Sequence, residues 1–312
     1  MPRPASIRPP ALVEGDTIGI VAPASNIDPN ALAAACTNLK RMGYVPYYLD
    51  SIVDRDLYFA GSVQRRVAEL EHMFAKPEVR AVLCARGGYG ANYLLPHLDV
   101  NKFLANPKPF IGYSDNTCLL TWLADHGLVT FHGPMATKDF ASQRGVDEAW
   151  WKLALGSAAA LERSFAPTEL EVIATGEGEG ILYGGCLSIL VASLGTPYEI
   201  KTDGTILFLE DMNEKPYQVD RMLMQLKFAG KFENVRGVIV GEMLDCVQPN
   251  GQDYSLQDVI GRVLGDLKIP IVYGFSSGHV RGMNRVLPLG VQASLHAGDS
   301  VRLRLEAAVS QR

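Results

Sequence analysis

Near-continuous apolar runs alternate with amphipathic stretches through the first half of the chain. Such runs are typical of strands buried on both faces of a parallel sheet, and the stretches between them have the period of helices. The pattern predicts repeated β–α units, and therefore an α/β fold with a parallel sheet covered by helices. The predicted strands are 17–25, 45–50, 79–86, 109–114 and 128–134, and the predicted helices are 31–43, 64–74 and 115–127.

The alternation resumes in the second half, after a segment of different character. Residues 158–180 lack helical periodicity and end in alternating Gly and Glu, which indicates a linker or a crossing segment between two domains. A long excursion within one domain is the alternative. The predicted domains are residues 1–160 and 181–312, joined by a linker at 161–180. Further strands are predicted at 205–210, 235–243, 269–275, 286–295 and 300–306, with helices at 216–230 and 255–267.

Composition is that of an ordinary globular protein, with 47% hydrophobic and 20% charged residues over 312 positions. A net charge of −5 without a Lys/Arg block argues against a nucleic-acid partner. No run reaches the roughly 18 apolar residues of a membrane helix, and the first residues lack the apolar core of a secretory signal. The five cysteines are scattered without a CxxC or Cys/His cluster, which favours reduced thiols. We therefore expect a soluble cytoplasmic protein with no membrane partner, no metal and no other cofactor.

Ser114 stands at the junction between a predicted strand and a predicted helix. This junction holds a side chain at the carboxyl edge of the sheet, beside the free N–H groups of the helix. The arrangement is typical of a nucleophile elbow with the Asp115 N–H as an oxyanion donor, although Asn116 replaces the second glycine of GxSxG. The alternative is that Ser114 only caps the helix, because Ser-Asp-Asn is good capping sequence.

A glycine-rich turn, Arg86–Gly90, follows the third predicted strand. Its glycines can adopt conformations that direct N–H groups toward a ligand, so Gly88 is a candidate for a second oxyanion donor. The spacing argues against a dinucleotide-binding loop, because the third glycine of that motif falls at Tyr93. A nucleotide-dependent oxidoreductase is therefore disfavoured.

A histidine and an acid at two other strand ends can complete a catalytic triad. His279 lies in a Ser/Gly loop after an apolar strand, and neutral imidazole is the usual base for a serine hydroxyl. Glu210 ends the strand 205–210 and is suited to orient a histidine, with Glu214 as a rival. The order Ser114, Glu210, His279 is that of α/β-hydrolases, so a serine hydrolase is the leading hypothesis.

Seven stretches give the chain a resemblance to the LD-carboxypeptidase family, the S66 serine peptidases. They are TIGIVAPAS, RGGYGA, FIGYSDNT, TFHGPM, GGCLSILVASLGTPY, LFLEDMNEKPYQVDRML and the Gly-His pair at 278–279. Their order and context agree over nearly the whole chain, from residue 17 to His279. One departure is Cys186, which stands where the family pattern GGNLS has Asn.

The resemblance implies an N-terminal flavodoxin-like α/β domain and a smaller C-terminal α/β domain of the swivelling type. It implies a triad of Ser114, Glu210 and His279, with Gly88 and Asp115 as oxyanion donors. Members commonly form homodimers and need no metal. They release the terminal D-alanine of murein tetrapeptides, cutting an L,D bond after meso-diaminopimelate in cytoplasmic cell-wall recycling. A sister branch hydrolyses microcin C-like peptidyl nucleotides and confers self-immunity.

The substrate and the residues that bind it stay open at this point. A carboxypeptidase must recognise a free carboxylate, and Arg86 and Arg281 are candidates because guanidinium binds carboxylate through two hydrogen bonds. Arg86 can equally be a structural partner at the strand end. A peptidyl-nucleotide substrate would need an aromatic side chain to stack its base, and Trp150 and Trp151 are the candidates. A non-catalytic binding protein on the same fold is a further alternative.

Overall fold

Strands and helices alternate along the chain in the computed structural model, which describes residues 4–142, 145–248 and 253–312. The strands in these ranges are β1 (Thr17–Val21), β2 (Val45–Tyr47), β3 (Val79–Cys84), β4 (Phe110–Gly112), β5 (Thr130–His132), β6 (Leu161–Phe165), β7 (Glu171–Ala174), β8 (Gly176–Cys186), β9 (Thr205–Glu210), β10 (Gly237–Gly241), β11 (Ile271–Phe275), β12 (Leu287–Leu289), β13 (Gln292–Ala297) and β14 (Val301–Leu305). The helices are α1 (Pro29–Arg41), α2 (Val63–Ala75), α3 (Val100–Leu104), α4 (Thr117–Asp125), α5 (Glu148–Gly156), α6 (Leu187–Ala192), α7 (Pro216–Phe228) and α8 (Leu256–Leu264). None of the described helices is long and apolar enough to cross a membrane.

The chain divides into two compact units. The first contains the described residues of Met1–Ala159 together with Gly282–Gly290 and Ala307–Arg312. The second contains those of Ala160–Arg281 and Val291–Glu306. Two short C-terminal segments therefore belong to the first unit, whereas the sequence pattern predicts one continuous C-terminal domain from residue 181. Strand β12 shows why, because it pairs with β5 of the first unit.

The first unit has the parallel sheet that the sequence predicts. Its strand order is β12-β5-β4-β3-β1-β2, and all neighbours are parallel except the β12–β5 pair. The order β2-β1-β3-β4-β5 is that of flavodoxin-like folds, so the predicted fold class is confirmed. Because β3 and β4 are adjacent and parallel, the segments that follow them leave the sheet at the same edge.

Side-chain caps define where the helices of this unit begin. The Asp28 carboxylate accepts a hydrogen bond from Asn30 N–H at the start of α1, and Pro29 occupies the first turn, where its missing N–H costs nothing. The Ser62 hydroxyl accepts from Arg65 N–H at the start of α2. Each helix then buries one apolar face; in α2 this face includes Leu70 and Phe74.

The second unit contains a mixed eight-stranded sheet. Its order is β6-β14-β13-β8-β9-β10-β11-β7. The central strands β8 to β11 are parallel, and antiparallel strands flank them on both sides. The predicted strands 205–210, 235–243 and 269–275 thus lie side by side, and their carboxyl ends share one edge of the sheet.

Residues 161–180 form strands β6 and β7 and the start of β8, where the sequence pattern predicts a linker. The alternating Gly and Glu of this segment is in fact a strand of period two. Its glutamates are exposed, and its glycines allow another backbone to approach closely. A Cβ on Gly178 would lie 1.9 Å from the Arg236 carbonyl oxygen, and one on Gly180 would lie 2.3 Å from that of Gly204. A strand that buries glycine instead of apolar side chains has no hydrophobic pattern to detect.

This close approach makes Gly178 intolerant of any side chain. We expect Gly178→Ala to lower the free energy of unfolding by about 3 kcal/mol, because the backbone of β8 must move away from Arg236. Gly265→Ala is the matched control, since nothing lies within 4 Å of a Cβ there, and it should change stability by less than about 1 kcal/mol. Chemical denaturation measures both values, and equal effects of the two substitutions would contradict the explanation for β8.

Candidate active site

Ser114 has a backbone conformation that is rare for a residue with a side chain. It follows β4, opens a short 3₁₀ turn at Ser114–Asn116, and has φ of +62°. A non-glycine residue in this left-handed region carries strain, which concentrates at functional positions. The residue at the N-cap of α4 is Asn116, and no side-chain hydrogen bond caps the helix there. Ser114 is therefore not the cap that the alternative interpretation requires.

The glycine-rich turn after β3 lies directly against Ser114. A Cβ on Gly87 would come within 2.7 Å of Ser114 Cβ, 2.9 Å of Ser114 Oγ and 3.1 Å of Asp115 N. Gly88 has φ of +106°, and a Cβ there would lie 2.4 Å from Ser25 Oγ. Only glycine fits at both positions. The turn thus brings backbone groups to the serine that side chains would otherwise cover.

Two buried side chains of the Ser114 turn hold the glycine-rich turn at both of its ends. The Asn116 amide donates to the Arg86 carbonyl at 3.1 Å, at the beginning of the glycine-rich turn. The Asp115 carboxylate accepts from Ala91 N–H at 2.8 Å, just beyond its end. Asn116 therefore has a structural reason to replace the glycine of GxSxG. The Asp115 side chain adds a role that the sequence did not reveal.

Burial of the Asp115 carboxylate also alters its protonation. Burial raises its pKa from an ordinary value of 3.8 to about 6, although the Ala91 N–H and the Arg66 guanidinium oppose the rise. Arg66 is itself buried and donates to the carbonyls of Pro23 and Gly90, at 2.8 and 2.7 Å. A carboxylate and a guanidinium therefore contact the backbone at the end of the glycine-rich turn, at Ala91 and Gly90 respectively.

In the second unit, Glu210 and His279 form a buried hydrogen-bonded pair. Glu210 Oε2 lies 2.8 Å from His279 Nδ1 and accepts from the His279 backbone N–H at 2.9 Å. Because an ionised carboxylate only accepts hydrogen bonds, Nδ1 carries the ring hydrogen and Nε2 is the basic nitrogen. A Cβ on Gly241 would lie 2.7 Å from Glu210 Cβ, so the glycine that ends β10 makes room for this acid. Glu214, the rival acid, has no such contact with His279.

Glu242 holds the loop that carries His279, and the sequence analysis missed it. One of its carboxylate oxygens accepts from the Ser276 hydroxyl at 2.8 Å, and the other accepts from Arg281 N–H at 3.0 Å. These two contacts flank His279 on either side. Glu242 directly follows β10, just as Glu210 ends the neighbouring β9, and this shared strand-end position was the available signal.

The two arginine candidates differ in how their guanidinium groups are engaged. Arg281 is 70% exposed and forms an ion pair with Asp245, so a substrate carboxylate would compete with that acid. Arg86 is exposed and donates to the Asn26 carbonyl at 3.2 Å, a neutral partner. Arg86 thus makes one hydrogen bond within the fold and retains hydrogen-bond donors for a ligand.

Trp150 and Trp151 do not provide an exposed surface for stacking a nucleotide base. Both side chains are buried in the first unit. Trp150 Nε1 donates to the Val286 carbonyl at 2.6 Å, and Trp151 Nε1 donates to the Tyr44 hydroxyl at 3.2 Å. Neither candidate for stacking a base is exposed, because helix α5 directs both rings into the core.

Among the residues that the structure describes, one group could hold a metal ion: Cys186, Glu210 and His279. Their ligand atoms all lie within 4.8 Å of one another, and all three residues are buried. Burial, together with the negative charges of Glu210 and Asp211, raises the pKa of the Cys186 thiol well above its usual value. The thiol also lies 3.4 Å from the Ser188 hydroxyl.

Comparison with known families accounts for both units. The model of the LD-carboxypeptidase N-terminal domain matches residues 18–133, and that of the LD-carboxypeptidase C-terminal domain matches residues 179–295. The chain belongs to the LD-carboxypeptidase family. The family that the sequence motifs indicated is thereby confirmed.

Relatives in this family align over almost the full chain. The probable murein peptide carboxypeptidase of Bacillus subtilis is 38% identical, over 97% of this chain and 96% of its own. The murein tetrapeptide carboxypeptidase of Pseudomonas aeruginosa is 33% identical, over 96% of this chain and 99% of its own. Among solved structures, the unliganded microcin C7 self-immunity protein MccF has a TM-score of 0.88 at 25% identity, covering 97% of this chain and 100% of its own.

The raised pKa of Asp115 predicts a pH-dependent contribution to stability. The folded state binds this proton more tightly than the unfolded state, so the contribution is complete below pH 3.8 and disappears as the pH rises through about 6. As the pH rises across this window, the free energy of unfolding of the wild-type chain should fall by up to about 3 kcal/mol relative to that of Asp115→Asn. Denaturation curves at several pH values measure the difference, with the exposed Asp299→Asn as control. A difference that stays constant with pH would contradict the assignment.

The position of Glu242 predicts that it orders the His279 loop. Glu242→Ala removes both hydrogen bonds and should speed amide exchange in residues 276–281 about tenfold or more. Glu242→Gln should retain most of the protection, since its amide oxygen can accept from Arg281 N–H and its NH₂ can donate to Ser276. Arg281→Ala keeps the backbone N–H and serves as the control. Hydrogen-exchange mass spectrometry distinguishes these cases, and wild-type exchange in the alanine variant would remove Glu242 from this role.

Proposed function

We propose that the protein is a serine-type LD-carboxypeptidase that releases the terminal D-alanine from murein tetrapeptide. The observation that carries the proposal is the buried Glu210–His279 pair, which fixes the imidazole tautomer that a serine nucleophile needs. The strained conformation of Ser114 beside the glycine-rich turn supports it. The names of two relatives, with 38% and 33% identity over nearly the full chain, supply the substrate class.

The reaction begins with attack of Ser114 Oγ on the peptide carbonyl carbon, while Nε2 of His279 takes the hydroxyl proton. The resulting imidazolium is stabilised by the Glu210 carboxylate, which lies 2.8 Å from Nδ1. When the C–N bond breaks, His279 gives its proton to the leaving amine of D-alanine. Water then attacks the acyl-enzyme in the same way and restores the serine.

The negative oxygen of each tetrahedral intermediate needs hydrogen-bond donors. The proposed donors are the N–H groups of Asp115 and Gly88, on the two turns that Asn116 and the Asp115 side chain hold together. Loss of one such donor costs about 3 kcal/mol in the transition state of comparable enzymes. Because the donors belong to the backbone, the geometry of the turns, rather than the identity of a side chain, determines their effect.

Recognition of the substrate carboxylate is assigned to Arg86 in preference to Arg281. The Arg86 guanidinium hydrogen-bonds a neutral carbonyl on an exposed surface next to the glycine-rich turn. Arg281 remains the second candidate, because its pairing with Asp245 must be broken before a substrate can use it. A homodimer and a cytoplasmic location also belong to this proposal, and both rest on the family resemblance.

Hydrolysis of a peptidyl-nucleotide amide is the second candidate function. The structural similarity to the microcin C7 self-immunity protein, at a TM-score of 0.88, favours it. Trp150 and Trp151, the candidates for stacking its base, are both buried. The names of the relatives at 38% and 33% identity make the murein tetrapeptide the preferred substrate, and the same serine would act on either one.

Replacement of the nucleophile tests the proposal. Ser114→Ala should reduce kcat for tetrapeptide hydrolysis at least about a thousandfold, because the hydroxyl forms the covalent intermediate. The exposed Ser164→Ala is the control and should leave kcat unchanged. The substrates are the murein tetrapeptide, its isomer ending in L-alanine, and a peptidyl adenylate mimic, with products identified by mass.

Each result of this assay separates one function from another. Turnover of the tetrapeptide but not of its L-alanine isomer supports the LD-carboxypeptidase. Turnover of the adenylate mimic alone indicates the peptidyl-nucleotide hydrolase. No turnover of any substrate by the native chain favours a binding protein, and undiminished turnover by the alanine variant removes Ser114 as the nucleophile.

A further inference from the structure

A thiol, a carboxylate and an imidazole come together at the carboxyl edge of the second sheet. Cys186 ends β8 and is the register partner of Glu210, which ends the parallel neighbour β9. His279 reaches the same place from the loop after β11. The exposed fractions of the three residues are 3%, 0% and 5%, and their ligand atoms lie within 4.8 Å of one another.

We propose that Cys186, Glu210 and His279 form a binding site for a thiophilic divalent cation such as Zn²⁺, and that the bound cation inhibits the enzyme. Thiolate sulfur, imidazole nitrogen and carboxylate oxygen are the three ligand types that zinc binds in proteins. Three protein ligands leave one position of a tetrahedral site for water. The chain therefore offers a complete set of protein ligands within a single unit.

The spacing of the ligand atoms is close to what a bound ion requires. With metal–ligand distances of about 2.0–2.3 Å, ligand atoms around a tetrahedral ion lie about 3.3–3.7 Å apart. Since the observed limit is 4.8 Å, the most distant pair must close by about 1 Å when the ion binds. The contact of 2.8 Å between Glu210 Oε2 and His279 Nδ1 must open by several tenths of an ångström, so that both atoms can face the ion.

The surroundings of the cluster favour a positive ion. Asp211 follows Glu210 directly and is also buried, so two carboxyl groups lie beside the thiol. Asp211 is held by the backbone N–H groups of Ser188 and Met212, each at 2.8 Å, and so adds negative potential without itself being a ligand. When the ion binds, the S–H bond of Cys186 breaks, an S–metal bond forms, and the thiol proton leaves to solvent. The ring hydrogen of His279 leaves Nδ1, which then binds the ion, and a proton is taken up at Nε2, so that the imidazole stays neutral.

Inhibition follows from what the ion displaces. The Glu210–His279 hydrogen bond orients the imidazole as a base, and a cation that binds these groups removes that bond. This part of the inference rests on the proposed function, whereas the binding of the cation does not. The thiol is the ligand at which the chain departs from the GGNLS pattern of the resemblance, and an amide in its place supplies no thiolate.

Cadmium binding tests the site without any enzyme assay. Cd²⁺ added to the purified full chain should produce ultraviolet thiolate-to-metal charge-transfer absorption that saturates at one equivalent per chain. Cys186→Ser should abolish the absorption and weaken binding at least about tenfold. Cys36→Ser is the control, because this half-buried cysteine on α1 belongs to the first unit, and it should retain the wild-type signal.

Cys186→Asn provides a second variant in case the serine variant does not fold, and circular dichroism establishes the folded state of each. The proposed site is overturned if the absorption persists in a folded Cys186 variant, or if the wild-type chain shows none. The inhibitory role is tested by Zn²⁺ titration of tetrapeptide hydrolysis, with each variant compared with its own metal-free rate. If Cd²⁺ absorption saturates but Zn²⁺ does not inhibit hydrolysis, the inhibitory role is overturned. If the metal-free chain does not hydrolyse the tetrapeptide at all, the proposed function is contradicted, and the result on cation binding still stands.

Discussion

The position of the His279 loop in the second unit depends on a fully buried carboxylate and on the donors that satisfy it. Glu210 has no exposed surface, and an ionised acid in such a place is costly unless donors satisfy it. Both a backbone N–H and a ring nitrogen of His279 contact the same carboxylate oxygen. The acid therefore determines the position of the loop as well as the tautomer of the ring, since a histidine placed elsewhere would satisfy neither contact.

In the first unit, two irregular turns contact each other through their backbones, and side chains do not cover them. Strands β3 and β4 are parallel neighbours, so the turns that follow them begin side by side. Glycine at positions 87 and 88 permits close contact, and the buried Asn116 and Asp115 side chains supply the hydrogen bonds that hold the turns together. The cost of burying Asp115, visible in its raised pKa, is one consequence of that arrangement.

Strand ends were the part of the site that the sequence could predict. Apolar runs mark buried strands, and the first polar residue after each run lies at the carboxyl edge of a parallel sheet, which is how Ser114 and Glu210 became candidates. The hydrogen bonds of Glu242 depend on the path of a loop that periodicity does not describe. The glycine-rich start of β8 escaped detection because backbone, rather than apolar side chains, packs against it. The sequence could not tell whether Trp150 and Trp151 are exposed, because aromatic residues serve a core as well as a binding surface.

The register of the second sheet also explains why residue 186 matters to the chemistry of the site. Adjacent parallel strands place the last residue of β8 beside the last residue of β9, so any side chain at position 186 lies next to Glu210. An asparagine there could donate a hydrogen bond to a carboxylate, whereas the Cys186 thiol is a weak donor and, once deprotonated, a strong metal ligand. With a thiol at position 186 the Glu210–His279 contact is still made. The thiol adds a ligand for thiophilic cations to the buried Glu210 and His279. On the proposed inhibition, the reactivity of the site then depends on the concentration of such cations around the protein.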